Sequence, residues 1–86
     1  MREESAANLG RAGGKLKDAV ATLAAFATAD DHRDPDVRTS LLDDAALALW
    51  EYVVQREAMG LTNHDIVNQV YGVTPELWRR VGSERS

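Results

Sequence analysis

The sequence predicts an all-α protein: two long antiparallel helices over about 4–29 and 35–59, followed by a short C-terminal helical pair over about 64–70 and 75–81. Three observations carry this reading. Apolar residues recur at spacings of three and four along most of the chain. No stretch alternates apolar and polar residues with β-branched or aromatic enrichment, so no strand is predicted. Gly60, Gly72 and Gly82, together with Pro35 and Pro75, fall where helix stops and starts are needed.

The first helix is marked by Leu9, Gly13, Leu16, Val20, Leu23 and Ala27, a coiled-coil-like seam. Gly10, Gly13 and Gly14 each cost roughly 1 kcal/mol against alanine in a helix interior. Either the helix breaks near Gly13-Gly14, or Ala6, Gly10 and Gly14 form a small-residue face for close packing. The seam crosses the glycines without a phase shift, which favours the small-residue face and predicts that Gly10→Leu is disruptive.

Asp30-Asp31-His32-Arg33-Asp34 reads as a polar loop. Asp34 and Pro35 then start the second helix as N-cap and first residue, with Ser40 and Asp43 as a later alternative. Leu41, Leu42, Ala45, Ala46, Leu47, Leu49, Trp50, Tyr52, Val53 and Val54 cover most of that helix. Only a strip through Asp44, Glu51 and Gln55, with Ala48 between them, is clearly polar. A helix this apolar is buried on more than one side, by the C-terminal pair or by a second copy of the chain. Asn63 is the expected cap of the third helix, with Ile66, Val67 and Val70 inward, and Thr74-Pro75 the start of the fourth; residues 83–86 read as a frayed tail.

At 86 residues the chain is one domain, 1–86, which buries only about 60% of its unfolded surface. It holds no cysteine, so disulfides, thiolate nucleophiles and cysteine zinc sites are excluded. No apolar run approaches the ~18 residues of a membrane span. Met1-Arg2-Glu3-Glu4 lacks a signal-peptide start, so the cytoplasm is the expected location. The net charge is −4, and no segment has the basic excess that phosphate binding demands: residues 61–86 carry three basic and three acidic side chains.

Residues 61–82, LTNHDIVNQVYGVTPELWRRVG, are close to a helix-turn-helix. Three details argue against one. Tyr71 is an extra residue before the Gly72-Val73-Thr74 turn, the last helix has barely two turns, and only Glu76, Arg79 and Arg80 are clearly exposed on it. The favoured reading is a helical lid that packs Ile66, Val70, Leu77, Trp78 and Val81 onto the second helix. Arg79 and Arg80 are the features that lid packing leaves unexplained.

His32 among Asp30, Asp31, Asp34 and Asp36 lacks a calcium-loop frame and reads as a solvated acidic turn. His64-Asp65 has no nucleophile in a recognisable frame. No phosphate loop, dinucleotide fingerprint or zinc-protease motif occurs. Catalytic, cofactor and metal residues are therefore all expected to be absent. Arg56, close to the apolar face of the second helix, must be paired; Glu4, Asp18 or helix-end carbonyls are the expected partners.

Two blocks, LGRAGGKL at 9–16 and ALWEYVVQREAMGL at 48–61, with VTPEL at 73–77 and RVG at 80–82, resemble a family of small bacterial helical proteins that forms a domain of unknown function. The resemblance covers most of the chain. It implies an all-helical fold, no assigned activity and a structural role for the C-terminal segment. The sequence thus points to a non-enzymatic protein–protein interaction or self-association module, with a homodimer or another protein as partner and Arg56, Trp78, Arg79 and Arg80 as candidate interaction residues. The alternative is a DNA-binding regulator that uses residues 61–82.

Overall fold

The computed structural model describes residues 2–28 and 34–85, so the polar loop Asp30–Arg33 and the side chains of Glu4 and Ala6 lie outside the described residues. Four helices follow in order: α1 (Arg2–Thr28), α2 (Pro35–Ala58), α3 (Asp65–Tyr71) and α4 (Pro75–Arg85). The long helices pack together antiparallel; α4 lies on α2, and α3 touches α1. Among the described residues, no helix is long and apolar enough to cross a membrane.

The starts and stops follow local backbone chemistry. Asp34 caps α2: its Oδ1 accepts from the amides of Asp36 at 3.0 Å and Val37 at 3.3 Å. Gly60, at φ +83°, ends α2. There the Leu61 amide donates to the Arg56 carbonyl at 2.9 Å and the Gly60 amide to that of Glu57 at 3.0 Å, the paired bonds of a Schellman stop. Asn63 Oδ1 accepts from the Asp65 amide at 3.0 Å, although His64 holds the N-cap position of α3. Gly72, at φ +67°, ends α3, and Thr74 Oγ1 caps α4 by accepting from the Leu77 amide at 3.3 Å.

Gly82 does not stop α4. The helix continues to Arg85 and spans eleven residues, three turns where the sequence suggested two. A glycine costs helix stability but does not end a helix unless its φ turns positive, and here it does not. Tyr71 closes α3, so it is no extra residue in the turn.

The core takes one fully buried large side chain from every helix: Leu16, Leu49, Val67 and Leu77. Ala12, Ala45, Ala46, Tyr52, Val53, Val73 and Val81 complete most of it. Leu77 and Val81 are inward as the lid reading expects, and Trp78 is partly buried. Ile66 and Val70 are not: they are 54% and 64% exposed. Val67 is buried as expected, but Tyr71 joins it on the inward face of α3 in place of Ile66 and Val70. This orientation is set by Tyr71, which has a gap to fill on α1.

That gap is Gly13. The α1 helix runs unbroken through its glycines, but the small-residue face does not lie at Gly10 and Gly14, where an added Cβ would meet nothing within 4 Å. The close approach is at Gly13, on the leucine seam. A Cβ there would stand 2.7 Å from Tyr71 Oη and 3.2 Å from Tyr52 Cε1.

Of the polar strip of α2, only Asp44 is fully on the outside. Ala48 is buried, and Glu51 and Gln55 are half-buried beside Asn8, Arg11 and Lys15 of α1. The uncovered face carries Leu47, Trp50 and Val54.

Leu16→Ala should lower the unfolding free energy by about 2–5 kcal/mol in denaturant melts, because Leu16 is fully enclosed. Gly10→Ala and Gly14→Ala should each raise it by about 0.4–1 kcal/mol. Gly13→Ala should lower it, and adding Tyr71→Phe, which removes the nearest atom, should recover part of that loss in a double-mutant cycle.

Candidate interaction site

The α2 stop turns residues 61–64 back along the helix, and Arg56 holds them there. Its carbonyl accepts from Leu61, as described above. Its side chain donates from Nη2 to the Asn63 carbonyl at 2.8 Å and from Nε to His64 Nδ1 at 3.4 Å. The guanidinium also lies over the Tyr52 ring, 5.9 Å from its centroid. Arg56 is thus paired, as a half-buried arginine requires, with a carbonyl, an imidazole and a ring. Asp18 is not among these partners.

His64 is defined by the same contact. Because Nδ1 accepts from Arg56, the neutral ring carries its proton on Nε2. Nε2 is buried without a hydrogen bond; Glu57 Oε2 stands 3.6 Å away, close enough for electrostatic attraction but too far for a hydrogen bond. Trp78 lies beyond, its ring centroid 6.2 Å from that of His64. The Trp78 indole donates to Asn68 Oδ1 at 2.5 Å and so ties α4 to α3. Arg56 and Trp78 therefore belong to one cluster.

Arg79 and Arg80 are separated. Arg80 Nε donates to Asp43 Oδ1 at 2.6 Å, fastening α4 to α2. Arg79 lies near Glu76, which Arg38 engages with both nitrogens, Nη2 to Oε1 at 2.7 Å and Nη1 to Oε2 at 3.2 Å. The Arg38 hydrogen bonds hold the Glu76 carboxyl below the ordinary carboxylate range. The adjacent arginines thus serve different acids.

Two features escaped sequence reasoning. One is the Tyr52–Tyr71 pair, edge-to-face with centroids 5.1 Å apart. Its only trace in the sequence is the glycine placed on the leucine seam. The other is the position of the uncovered face: the apolar excess of α2 was readable, but not that Leu47, Trp50 and Val54 would be left 47%, 38% and 39% exposed.

A model of a family of unknown function, DUF6665, matches residues 1–85. The chain belongs to DUF6665. Neither the curated proteins nor the solved structures give a match. Among the described residues of this DUF6665 protein, no group of three or more His, Asp or Glu side chains gathers where a metal could be held. The apolar stripe on α2 is flanked by Asp43, already paired with Arg80, and by Asp44.

The tyrosine pair makes stability depend on pH. The hydrogen bond with Tyr52 raises the Tyr71 hydroxyl above its ordinary value, partial burial adds to this, and Arg56 opposes it. A raised value favours the neutral hydroxyl in the folded state. Its stabilisation is complete below about pH 10 and is lost as pH climbs through the raised value. Thermal melts from pH 8 to 11 should therefore show a steeper alkaline loss for the wild type than for Tyr71→Phe.

Proposed function

We propose that this protein is a non-enzymatic self-association module in which two copies pair through the Leu47, Trp50 and Val54 face of α2. The observation that carries the reading is the stripe itself: three large apolar residues at i, i+3 and i+7, exposed on a helix whose other faces are covered by α1 and α4. The spacing suits a second copy. In an antiparallel α2–α2 contact with its two-fold axis beside Trp50, Leu47 falls opposite Val54 of the second molecule, so one patch serves both sides of an isologous interface. A narrow stripe of this kind fits a weak, reversible dimer.

A second reading, a DNA-binding regulator using residues 61–82, draws support from the three-turn length of α4. The two readings respond to salt in opposite directions. Each copy carries a net charge of −4, so screening should favour the dimer, whereas phosphate contacts weaken as salt rises.

Light scattering over a concentration series is the direct test. The mass should rise from 9.4 kDa toward twice that value at high micromolar concentration. It should stay at the monomer value for Trp50→Lys and be unaffected by Val70→Lys on α3. A wild type that remains monomeric at every concentration and salt level overturns the self-association reading.

A further inference from the structure

Asp43, Trp50 and Glu57 recur at equal intervals along α2 and lie on one line of the helix, with Trp50 midway between the two acids. Each acid stands about 10 Å from Trp50 along the helix axis. Both acids lean to the side of the line on which α3 and α4 lie, Asp43 to Arg80 and Glu57 toward His64. Their states differ. Asp43 is matched, because Nε and Nη2 of Arg80 both turn to its Oδ1. The Glu57 side chain is 45% exposed, and its carboxylate accepts no hydrogen bond among the described residues; His64 Nε2 at 3.6 Å is too far. Arg80, 37% exposed, keeps Nη1 without an acceptor among the described residues.

The spacing is symmetric about Trp50, but the charges are not. In an antiparallel α2–α2 pair with its two-fold axis beside Trp50, Asp43 of one copy comes level with Glu57 of the other. Such an axis leaves each flank of the helix facing the same flank of its counterpart. Glu57 of the second copy therefore arrives on the side where Arg80 stands, and meets a guanidinium with a spare donor. In a parallel pair each acid would meet its own counterpart, Glu57 beside Glu57, with like charges adjacent. Charges at the rim of an apolar contact add little affinity, but they decide orientation.

We propose, resting on self-association through α2, that Arg80 is shared between the two copies. It holds Asp43 of its own chain and Glu57 of the second, twice per dimer, and these pairs fix the antiparallel orientation. The α4 helix thereby enters the interface beside the apolar stripe of α2.

Dimer dissociation constants from light scattering test this inference. Glu57→Gln should weaken dimerisation by about 2- to 30-fold, the value of two exposed ion pairs. Glu57→Lys should weaken it at least as much. That sign is diagnostic, since the substitution removes half of the net charge of −4 and would strengthen a dimer opposed only by overall repulsion. Glu57 is exposed, so both variants should melt close to the wild-type temperature. The chain has no cysteine, so single cysteine substitutions report orientation. Oxidation of an equimolar mixture of Leu47→Cys and Val54→Cys chains should give the mixed disulfide in excess over both self-disulfides. Adding Glu57→Lys to both chains should reduce that excess. A wild type that stays monomeric overturns self-association and the shared arginine together. A wild-type dimer whose strength Glu57→Lys leaves unchanged, or a mixture without an excess of the mixed disulfide, overturns the shared arginine alone.

Discussion

Tyr71 lies against Gly13, and the placement of both short helices depends on that contact. Only a residue without a side chain allows a phenol ring so close to a helix backbone, and the ring must come from the last turn of α3 to reach it. Once Tyr71 points inward, Val67, one turn earlier, must do the same, and Ile66 and Val70 are turned outward. Gly72 then ends the helix, and three residues later α4 begins on the surface of α2. The tyrosine also meets Tyr52, so one ring joins α1, α2 and α3. A helix of seven residues is too short to be stable alone; α3 persists because this side chain anchors it.

A second set of contacts holds the same region from the other end of α3. Arg56 fixes the connection from α2 through its main chain and its side chain at once. Asn68 and Trp78 then join α3 to α4, and Asp43 with Arg80 joins α4 to α2. Each of these polar ties spans two elements, and each lies at the surface or half-buried. The interior is left to apolar side chains; among the described residues no polar or charged one is buried. Direction is thus supplied at the periphery and cohesion at the centre, an arrangement that avoids the desolvation cost of a buried charge.

The helical content, the two long helices and the cap at Asp34 were legible in the sequence because they depend on local chemistry: periodicity, an acidic cap before proline, glycine at a stop. The role of Gly82 was misread because a glycine marks a stop only when its φ turns positive, and composition does not reveal φ. Gly10 and Gly14 were weighed above Gly13 for a related reason. Spacing identifies candidates for close approach, but the side chain that approaches came from Tyr71, 58 positions away. The same limit explains the candidate residues. Arg56 was expected to be paired, and it is, yet its partners are a carbonyl and an imidazole supplied by a loop whose path follows from the Gly60 turn. Arg80 seemed unexplained until Asp43, on a different helix, was beside it. Contacts between distant segments require the fold, and the sequence had only the helices.

Among the described residues, the largest fully enclosed side chains come one from each helix, and this distribution bears on how the protein comes apart. No pair of helices owns a finished interior: Leu16, Leu49, Val67 and Leu77 belong to one buried cluster drawn from all four helices. Partial unfolding that releases the short pair therefore exposes the long pair as well. The molecule has no stable half to retreat to, and its opening is expected to be a single cooperative event despite its helical, locally connected architecture.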